Sequence, residues 1–208
     1  LPLHAIHSCL ITHLHRDHYQ PEEMNFRRPP FALNFEGDFT FYGSEDLARD
    51  LERRNTNGKY AFRWQALQPF VPAQIEGYTV TPLDANHDPS QHCYIYLIEK
   101  DGKRLLYAHD SGWFLPQTWE YLRGKRLDCA SLDSTMNPEN AASFQYHMNT
   151  AMILDCRDEL QRIGCVTDDT LLIASHFAHS VNLSWDELDA RLRPEGFLTS
   201  YDGMEVNF

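Results

Sequence analysis

The sequence predicts a mixed α/β fold, because segments typical of strands and of helices alternate along it and some strands are paired directly. Residues 94–99 and 104–108 are apolar runs on either side of Asp101-Gly102, and Asp-Gly between two such runs is a strong hairpin signal. Residues 150–163 carry apolar side chains at helical spacing and are followed by Gly164, which stops the helix. Periodicity alone gives a mixed α/β class, and the alternation with paired strands between the helices suggests two packed sheets with helices outside them.

The other strands are predicted from short apolar or aromatic runs that end at turn residues or charged residues. The full set of predicted strands lies at residues 9–11, 39–42, 78–83, 94–99, 104–108, 127–132, 171–174, 197–200 and 204–208. The last two strands flank a turn at Asp202-Gly203. Residues 59–77 are predicted to be irregular, since they include Pro69 and Pro72.

The remaining helices are predicted mainly from the residues that begin them. Pro21 stands at the start of a short helix over residues 19–26. Ser44 is expected to cap a helix that runs to about residue 54. Ser184 and Glu187 have the spacing of a capping box, which opens a helix to about residue 192. Residues 116–122 are also predicted to be helical.

Composition places the chain among ordinary globular proteins and limits its partners. With 208 residues we expect one domain over residues 1–208, and 42% hydrophobic with 23% charged residues is an average balance. No apolar run reaches the ~18 residues of a membrane span, and no secretory signal pattern is present. The net charge of −12 argues against general nucleic-acid binding. The five cysteines form no C-x-x-C pair, so we expect them to be reduced, which favours a cytoplasmic location.

Potential metal ligands follow the first predicted strand, and they are His13, His15, Asp17 and His18. Because alternate residues of a strand share a face, His13 and His15 point the same way, and a turn after them can bring Asp17 and His18 to a second point. Imidazole and carboxylate groups suit zinc and comparable first-row metals. The alternatives are a His-rich surface loop or an expression-tag remnant, but a tag lacks the apolar strand and the interleaved aspartate.

The motif and the sequence after it resemble the metallo-β-lactamase fold hydrolases. Residues 13–18 match the HxHxDH signature of that family. Later strands run into the residues at its three further ligand positions, which are His87, Asp110 and His176. The resemblance covers nearly the whole chain and implies an αββα four-layer sandwich of two mixed sheets flanked by helices. Family members open with two or three strands before the motif, so N-terminal strands are expected to be missing here.

The spacing and the ending at residues 201–205 are most similar to the PhnP-like branch, which contains the phosphonate-pathway cyclic phosphodiesterase.

The resemblance also implies two divalent metal ions, zinc or manganese, that share the carboxylate of Asp110. The ligands would be His13, His15, His87 and Asp110 for metal one, and Asp17, His18, Asp110 and His176 for metal two. Such a pair holds its ions about 3.5–4 Å apart and acidifies a water between them. The resulting bridging hydroxide would attack the substrate, and Asp17 would orient it.

Neighbouring residues leave part of this assignment open. The alternatives are His92 for His87, His109 for Asp110 and His179 for His176. We expect the residue directly after each strand to be the ligand, and a bridging position needs a carboxylate. Asp133 could hydrogen-bond a ligating histidine or could simply end its strand.

His147 is the second predicted catalytic residue, after Asp17. In the cyclic phosphodiesterase and tRNA nuclease branches, a histidine before the matching helix contacts the phosphate or protonates the leaving oxygen. A histidine with a pKa near neutrality suits both roles, whereas the alternative is a capping or surface histidine.

The expected function is therefore metal-dependent hydrolysis of a small phosphodiester, cyclic ones included. The alternatives are a metallo-hydrolase of esters, thioesters or lactams, a tRNA 3′-processing nuclease, and a non-catalytic metal-binding scaffold. We expect a small anionic substrate as the partner, and neither a membrane nor a nucleic acid. A homodimer is compatible with this interpretation.

Overall fold

The computed structural model describes residues 5–27, 30, 31, 33, 37–56, 58, 62–136 and 145–208. The strands in these ranges are β1 (Ser8–Leu10), β2 (Phe39–Gly43), β3 (Phe62–Ala66), β4 (Ala73–Ile75), β5 (Tyr78–Asp84), β6 (Tyr94–Lys100), β7 (Lys103–Ala108), β8 (Cys129–Asp133), β9 (Leu171–Ser175) and β10 (Phe197–Thr199). The α-helices are α1 (Glu45–Arg54), α2 (Pro116–Leu122), α3 (Met152–Arg162) and α4 (Trp185–Leu192). Short 3₁₀ segments lie at Pro21–Arg27, His179–Val181 and Arg193–Glu195.

The strands form two sheets. In the smaller sheet, β1, β2 and β3 are parallel and lie in that order. The larger sheet has the order β10-β9-β8-β7-β6-β5-β4. Strands β7 to β10 are parallel to one another, and β4 to β7 alternate in direction. The larger sheet is thus mixed, as expected, whereas the smaller sheet is parallel throughout.

Buried apolar side chains define the layers outside the sheets. Helix α1 covers the smaller sheet with Leu47 and Leu51, which are almost fully buried. Helices α2, α3 and α4 cover one face of the larger sheet, with buried side chains such as Leu122, Leu160 and Leu192. Each helix therefore buries one apolar stripe against a sheet, and the predicted αββα sandwich is confirmed.

A third apolar cluster lies between the two sheets and consists of Leu67, Ile75, Val80, Tyr94 and Tyr96. Side chains of β1 and β2 pack against it. Two hydrogen bonds join the sheets where β1 ends. The Tyr96 hydroxyl donates to the carbonyl of Ile11 at 2.6 Å, and the Tyr94 amide donates to the carbonyl of Thr12 at 2.9 Å. These bonds hold the residues that follow β1 against the start of β6.

The carboxyl ends of several strands meet at one edge of the sandwich. Strands β5, β7, β8, β9 and β10 run in the same direction, so their ends share an edge of the larger sheet. The segment after β1 reaches the same edge, because Thr12 bonds to the first residue of the oppositely directed β6. Open α/β sheets bind ligands at such an edge, so we expect a functional site there.

Some predicted segments differ from the structure. Residues 59–77 were expected to be irregular, but they include β3 and β4. Pro69 and Pro72 lie between these two strands, so only the stretch that joins them is irregular. Residues 59–61 lie outside the described residues. The helix predicted over residues 19–26 is a 3₁₀ segment. Residues 204–208 were expected to form a strand but pair with no described strand, and the Met204 amide instead donates to Tyr201 in a turn at 3.0 Å.

The predicted helix caps have different outcomes. At α4 the capping box is confirmed, since the Ser184 hydroxyl accepts from the Glu187 amide and the Glu187 carboxylate accepts from the Ser184 amide. At α1, Ser44 occupies the cap position, but its side chain makes no capping hydrogen bond. Among the described residues, no helix combines the length and the apolar character needed to cross a bilayer.

Gly112 permits a close approach of two backbone segments. Its amide donates to the carbonyl of Asn86 at 2.9 Å, and a Cβ atom at this position would collide with the carbonyl oxygen of Gln145. We predict that Gly112→Ala lowers the free energy of unfolding by about 1–3 kcal/mol, because a backbone clash cannot be relieved by rotating a side chain. Urea denaturation measures this loss, and a variant as stable as the parent would contradict the close approach.

Candidate metal centre

The structure brings all of the predicted ligands to the edge where the strands end. Residues 13–18 follow β1, His87 follows β5, Asp110 follows β7 and His176 follows β9. Their donor atoms form two groups, in each of which the atoms lie within 4.8 Å of one another: His13, His15, His87 and Asp110, and Asp17, His18, Asp110 and His176. These are the two sets that the resemblance implied, although their binding of metal stays a prediction. A third group of donor atoms combines Asp110 and His176 with Asp133 and His147.

Asp110 belongs to both groups, and its side chain is 3% exposed. Its Oδ2 atom lies 2.8 Å from His18 Nε2, 3.2 Å from His13 Nε2 and 3.7 Å from His87 Nε2. Its Oδ1 atom lies 2.9 Å from His176 Nδ1. One buried carboxylate thus faces ring nitrogens of four of the predicted ligands.

The donor atoms fit a divalent metal ion. In the described part of the chain, the buried atoms His13 Nε2 and Asp110 Oδ1 have no partner in hydrogen-bond geometry. Two pairs of ring nitrogens also approach each other, with 3.1 Å between His15 Nδ1 and His87 Nε2 and 3.1 Å between His18 Nε2 and His176 Nε2. Two nitrogen ligands on a tetrahedral zinc ion are about 3.3 Å apart, given the usual bond lengths. An ion between them would satisfy both the converging nitrogens and the unpaired atoms.

The protonation states also suit metal binding. Burial lowers the pKa of His13 to about 3, and burial also lowers the pKa of His87. Both imidazoles are therefore neutral at pH 7 and keep the lone pair that a metal needs. Burial by itself raises the pKa of Asp110, but the ring nitrogens of His176 and His18 outweigh it and hold that pKa well below its usual value. The centre thus presents the two neutral imidazoles of His13 and His87 beside an ionised carboxylate.

Backbone strain occurs at two of the predicted ligands. Asp110 has φ of 53° and His176 has φ of 62°, which is the left-handed region that non-glycine residues rarely adopt. Each such residue costs on the order of 1–3 kcal/mol, and residues of this kind cluster at functional sites. The strain therefore supports a functional role for the edge at which both residues lie.

The alternative histidines lie outside both donor groups in the described residues. The His92 side chain is 68% exposed, and its Nδ1 atom lies 3.1 Å from Asp46 Oδ2. His179 is exposed in a 3₁₀ segment. His109 Nε2 lies 2.7 Å from the Ser131 hydroxyl, and burial lowers the pKa of His109 to about 4. The geometry therefore favours His87, Asp110 and His176 over their neighbours.

Sequence reasoning missed the groups that orient the histidine rings. The contacts are Thr12 Oγ1 to His13 Nδ1 at 3.0 Å, the Tyr146 carbonyl to His87 Nδ1 at 3.1 Å, Thr135 Oγ1 to His176 Nδ1 at 2.8 Å, and Asp88 Oδ2 to His15 Nε2 at 3.2 Å. Contacts of this kind fix the ring orientation of ligating histidines. Only Thr12 is a sequence neighbour of its histidine, so the sequence carried no signal for the others.

His147 lies at the same edge, beside the fully buried Asp133. His147 Nδ1 is 2.8 Å from Asp133 Oδ2 and 3.5 Å from Asp110 Oδ1. Asp133 also accepts from the amides of Ser111 and Thr135. The sequence left open whether Asp133 hydrogen-bonds a ligating histidine. In the structure, the histidine bonded to Asp133 is His147, which is predicted to be catalytic and not a ligand. Burial lowers the pKa of His147, but the hydrogen bond and the charge of Asp133 outweigh it and raise that pKa above its usual value.

A cavity of about 320 Å³ opens over the centre. It is lined by His15, Asp17, His87, Asp110, Thr135, His147, His176, Phe177 and Ala178. A larger cavity of about 440 Å³ lies beside Tyr19 and Arg54, and none of the predicted ligands lines it. The smaller cavity is therefore the candidate active site, and its size suits a small substrate.

Comparisons with known proteins agree with this geometry. The sequence model of the family described as "Beta-lactamase superfamily domain" matches residues 2–177. A search of curated proteins finds no match. Among solved structures, the chain is similar to a diphosphatase from the PhnP family, with a TM-score of 0.72 and 18% identity over 98% of this chain and 72% of that chain.

Two further structures have a similar fold. The metallo-β-lactamase fold protein YhfI from Bacillus subtilis has a TM-score of 0.67 and 18% identity, over 92% of this chain and 73% of that chain. The short form of human tRNase Z has a TM-score of 0.67 and 13% identity, over 98% of this chain and 80% of that chain. At these identities the similarity establishes the metallo-β-lactamase fold and leaves the substrate open.

We predict that the freshly purified protein holds two divalent ions per chain, and that Asp110→Ala holds fewer than two, because both donor groups share this carboxylate. Elemental analysis by inductively coupled plasma mass spectrometry measures the content.

Four single variants provide matched comparisons. His87→Ala and His176→Ala should each lose an ion, whereas His92→Ala and His179→Ala should keep both. A parent protein that never exceeds one ion per chain, or full occupancy in Asp110→Ala, would contradict a shared carboxylate.

Proposed function

The chain belongs to the β-lactamase superfamily and is a metal-dependent hydrolase, and on that premise we propose that it hydrolyses a small phosphodiester, cyclic ones included. The observation that carries the proposal is the position of His147, which lines the cavity over the metal centre and is bonded to Asp133. Cleavage of a phosphodiester with an alkoxide leaving group needs a proton donor of this kind, in addition to positive charge.

The Asp133–His147 pair suits proton donation. Because His147 Nδ1 faces the Asp133 carboxylate at 2.8 Å, its hydrogen is committed to that bond, and Nε2 is the atom that can transfer a proton. The hydrogen bond and the charge of Asp133 outweigh burial and raise the pKa of His147, which favours the protonated ring. Asp133 is itself fixed by two amide donors, so it holds the ring in one orientation.

The two donor groups would hold the metal ions. When bound, two divalent ions would supply a water activated at neutral pH and positive charge against the phosphoryl oxygens. The Asp17 side chain is 67% exposed at the mouth of the cavity, and we assign it the role of orienting the attacking water. Phe177 and Ala178 give the cavity an apolar side, which suits an uncharged organic group attached to the phosphate of a phosphodiester.

Two other substrate classes are less well supported. Hydrolysis of carbon esters, thioesters or lactams would use the same ligands but gives no role to His147. A tRNA 3′-processing activity has a structural counterpart in human tRNase Z, but the net charge of −12 is unfavourable for binding a polyanion.

We predict that His147→Ala lowers the rate on a phosphodiester with an alkoxide leaving group by about 10²–10⁴-fold, the usual contribution of a general acid. The loss should be much smaller with bis(p-nitrophenyl) phosphate, because p-nitrophenolate departs without a proton. Steady-state kinetics on both substrates measures the difference.

His92→Ala is the matched control, since His92 also pairs with a carboxylate but lies outside the centre. It should leave both rates unchanged, and the metal content of His147→Ala should equal that of the parent. If both substrates slow equally, His147 binds the phosphate instead of donating a proton. If neither slows, the phosphodiester proposal loses its main support.

A further inference from the structure

The three histidines of the first donor group differ in how tightly the fold encloses them. The side chain of His13 is fully buried and that of His87 is 6% exposed, whereas that of His15 is 44% exposed. Packing therefore encloses the rings of His13 and His87 on all sides, whereas the ring of His15 contacts those two rings and is otherwise partly open to solvent. An exposed ligand needs a hydrogen bond to hold its ring in the binding orientation.

Asp88 makes that hydrogen bond. Its Oδ2 atom lies 3.2 Å from His15 Nε2, while His15 Nδ1 lies 3.1 Å from His87 Nε2. A carboxylate only accepts, so this contact places the ring hydrogen of His15 on Nε2. The lone pair of Nδ1 is then directed at the donor group, where a metal ion needs it.

Asp88 is held in place by its own turn. Its Oδ1 atom accepts from the amide and the hydroxyl of Ser90 at 2.8 and 2.7 Å. Its Oδ2 atom also accepts from Gln91 Nε2 at 2.8 Å, and Gln91 Oε1 accepts from the amide of Leu14 at 2.8 Å. The turn at residues 87–91 thus supplies one predicted ligand, His87, and closes on the loop that carries another, His15.

We propose that Asp88 is a positioning residue for metal binding, which selects the tautomer of His15 and fixes its ring so that Nδ1 faces the first metal position. The proposal rests on the metal centre of the proposed function, but not on the identity of the substrate. The expected effect is confined to one position, because the predicted ligand that hydrogen-bonds the Asp88 carboxylate, His15, belongs to the first donor group and not to the second.

Asp88→Asn tests the proposal with little change of shape. The amide oxygen can still accept from Ser90, which keeps that side of the turn. The amide nitrogen, which then faces His15 Nε2 and Gln91 Nε2, can accept from neither. The full-length protein is stripped of metal and titrated with zinc against a chromophoric chelator. His13→Ala should lose the zinc-binding step of the first position, and His176→Ala should lose that of the second position. The two variants therefore assign each step of the titration to a position.

We expect Asp88→Asn to weaken zinc binding at the first position by roughly 10–100-fold and to leave the second position unchanged. Two variants are matched controls. Ser90→Ala removes only the hydroxyl donor to the other oxygen of Asp88 and keeps the backbone amide donor of residue 90, so Asp88 stays in place. Asp46→Asn removes the carboxylate of the exposed His92 pair. Both should bind zinc as the parent does, and the thermal stability of the metal-free Asp88→Asn protein should equal that of the metal-free parent.

Three results would overturn the proposal: unchanged zinc binding in Asp88→Asn, equal weakening at both positions, or the same weakening in Ser90→Ala. The outcome is separate from that of the proposed function. Selective loss of zinc at the first position in a protein that cleaves no phosphodiester would support the role of Asp88 and refute the substrate. Phosphodiester cleavage by the parent together with unchanged zinc binding in Asp88→Asn would support the substrate and refute the role of Asp88.

Discussion

The arrangement of the candidate site depends on one buried carboxylate. Asp110 is almost completely removed from water, and an isolated ionised carboxylate in such a place is strongly unfavourable. Its surroundings are imidazole rings, of which His13 and His87 are held neutral by burial. Ring nitrogens of His18 and His176 lie 2.8 and 2.9 Å from the carboxylate oxygens. Among the described residues, however, the buried atoms Asp110 Oδ1 and His13 Nε2 have no partner in hydrogen-bond geometry. Divalent cations would complete the balance, which makes metal binding the physical basis of the proposed activity.

The fold serves to bring distant chain segments to this carboxylate. The ligands come from the ends of β1, β5, β7 and β9, which meet because the last three run in the same direction and because Tyr94 and Tyr96 join the two sheets where β1 ends. The strained backbone at Asp110 and His176 shows that the sheets hold these residues in conformations that the chain would not adopt locally. Polar contacts behind the rings, such as that of Thr135 to His176, then fix the ring orientations.

How far the sequence predicted this structure depends on how local each feature is. The hairpin at Asp101-Gly102 and the capping box at Ser184 could be predicted, because a few adjacent residues determine them. Strands β3 and β4 could not, since two prolines interrupt the periodicity there and the strands form through pairing with β2 and β5. The motif at residues 13–18 indicated metal ligands by itself, because alternate residues of a strand share a face and a turn follows. His87, Asp110 and His176 were located through the family resemblance, and the binding of metal by all of these residues stays a prediction. Contacts such as Asp133 with His147 join distant segments and required the structure.

The most direct test of the central claim is a crystal structure of the zinc-loaded protein with anomalous diffraction data collected at the zinc edge. We expect two anomalous peaks about 3.5–4 Å apart, one on each side of the Asp110 carboxylate, with His15 bound through Nδ1. A single peak, or zinc bound away from Asp110, would contradict it.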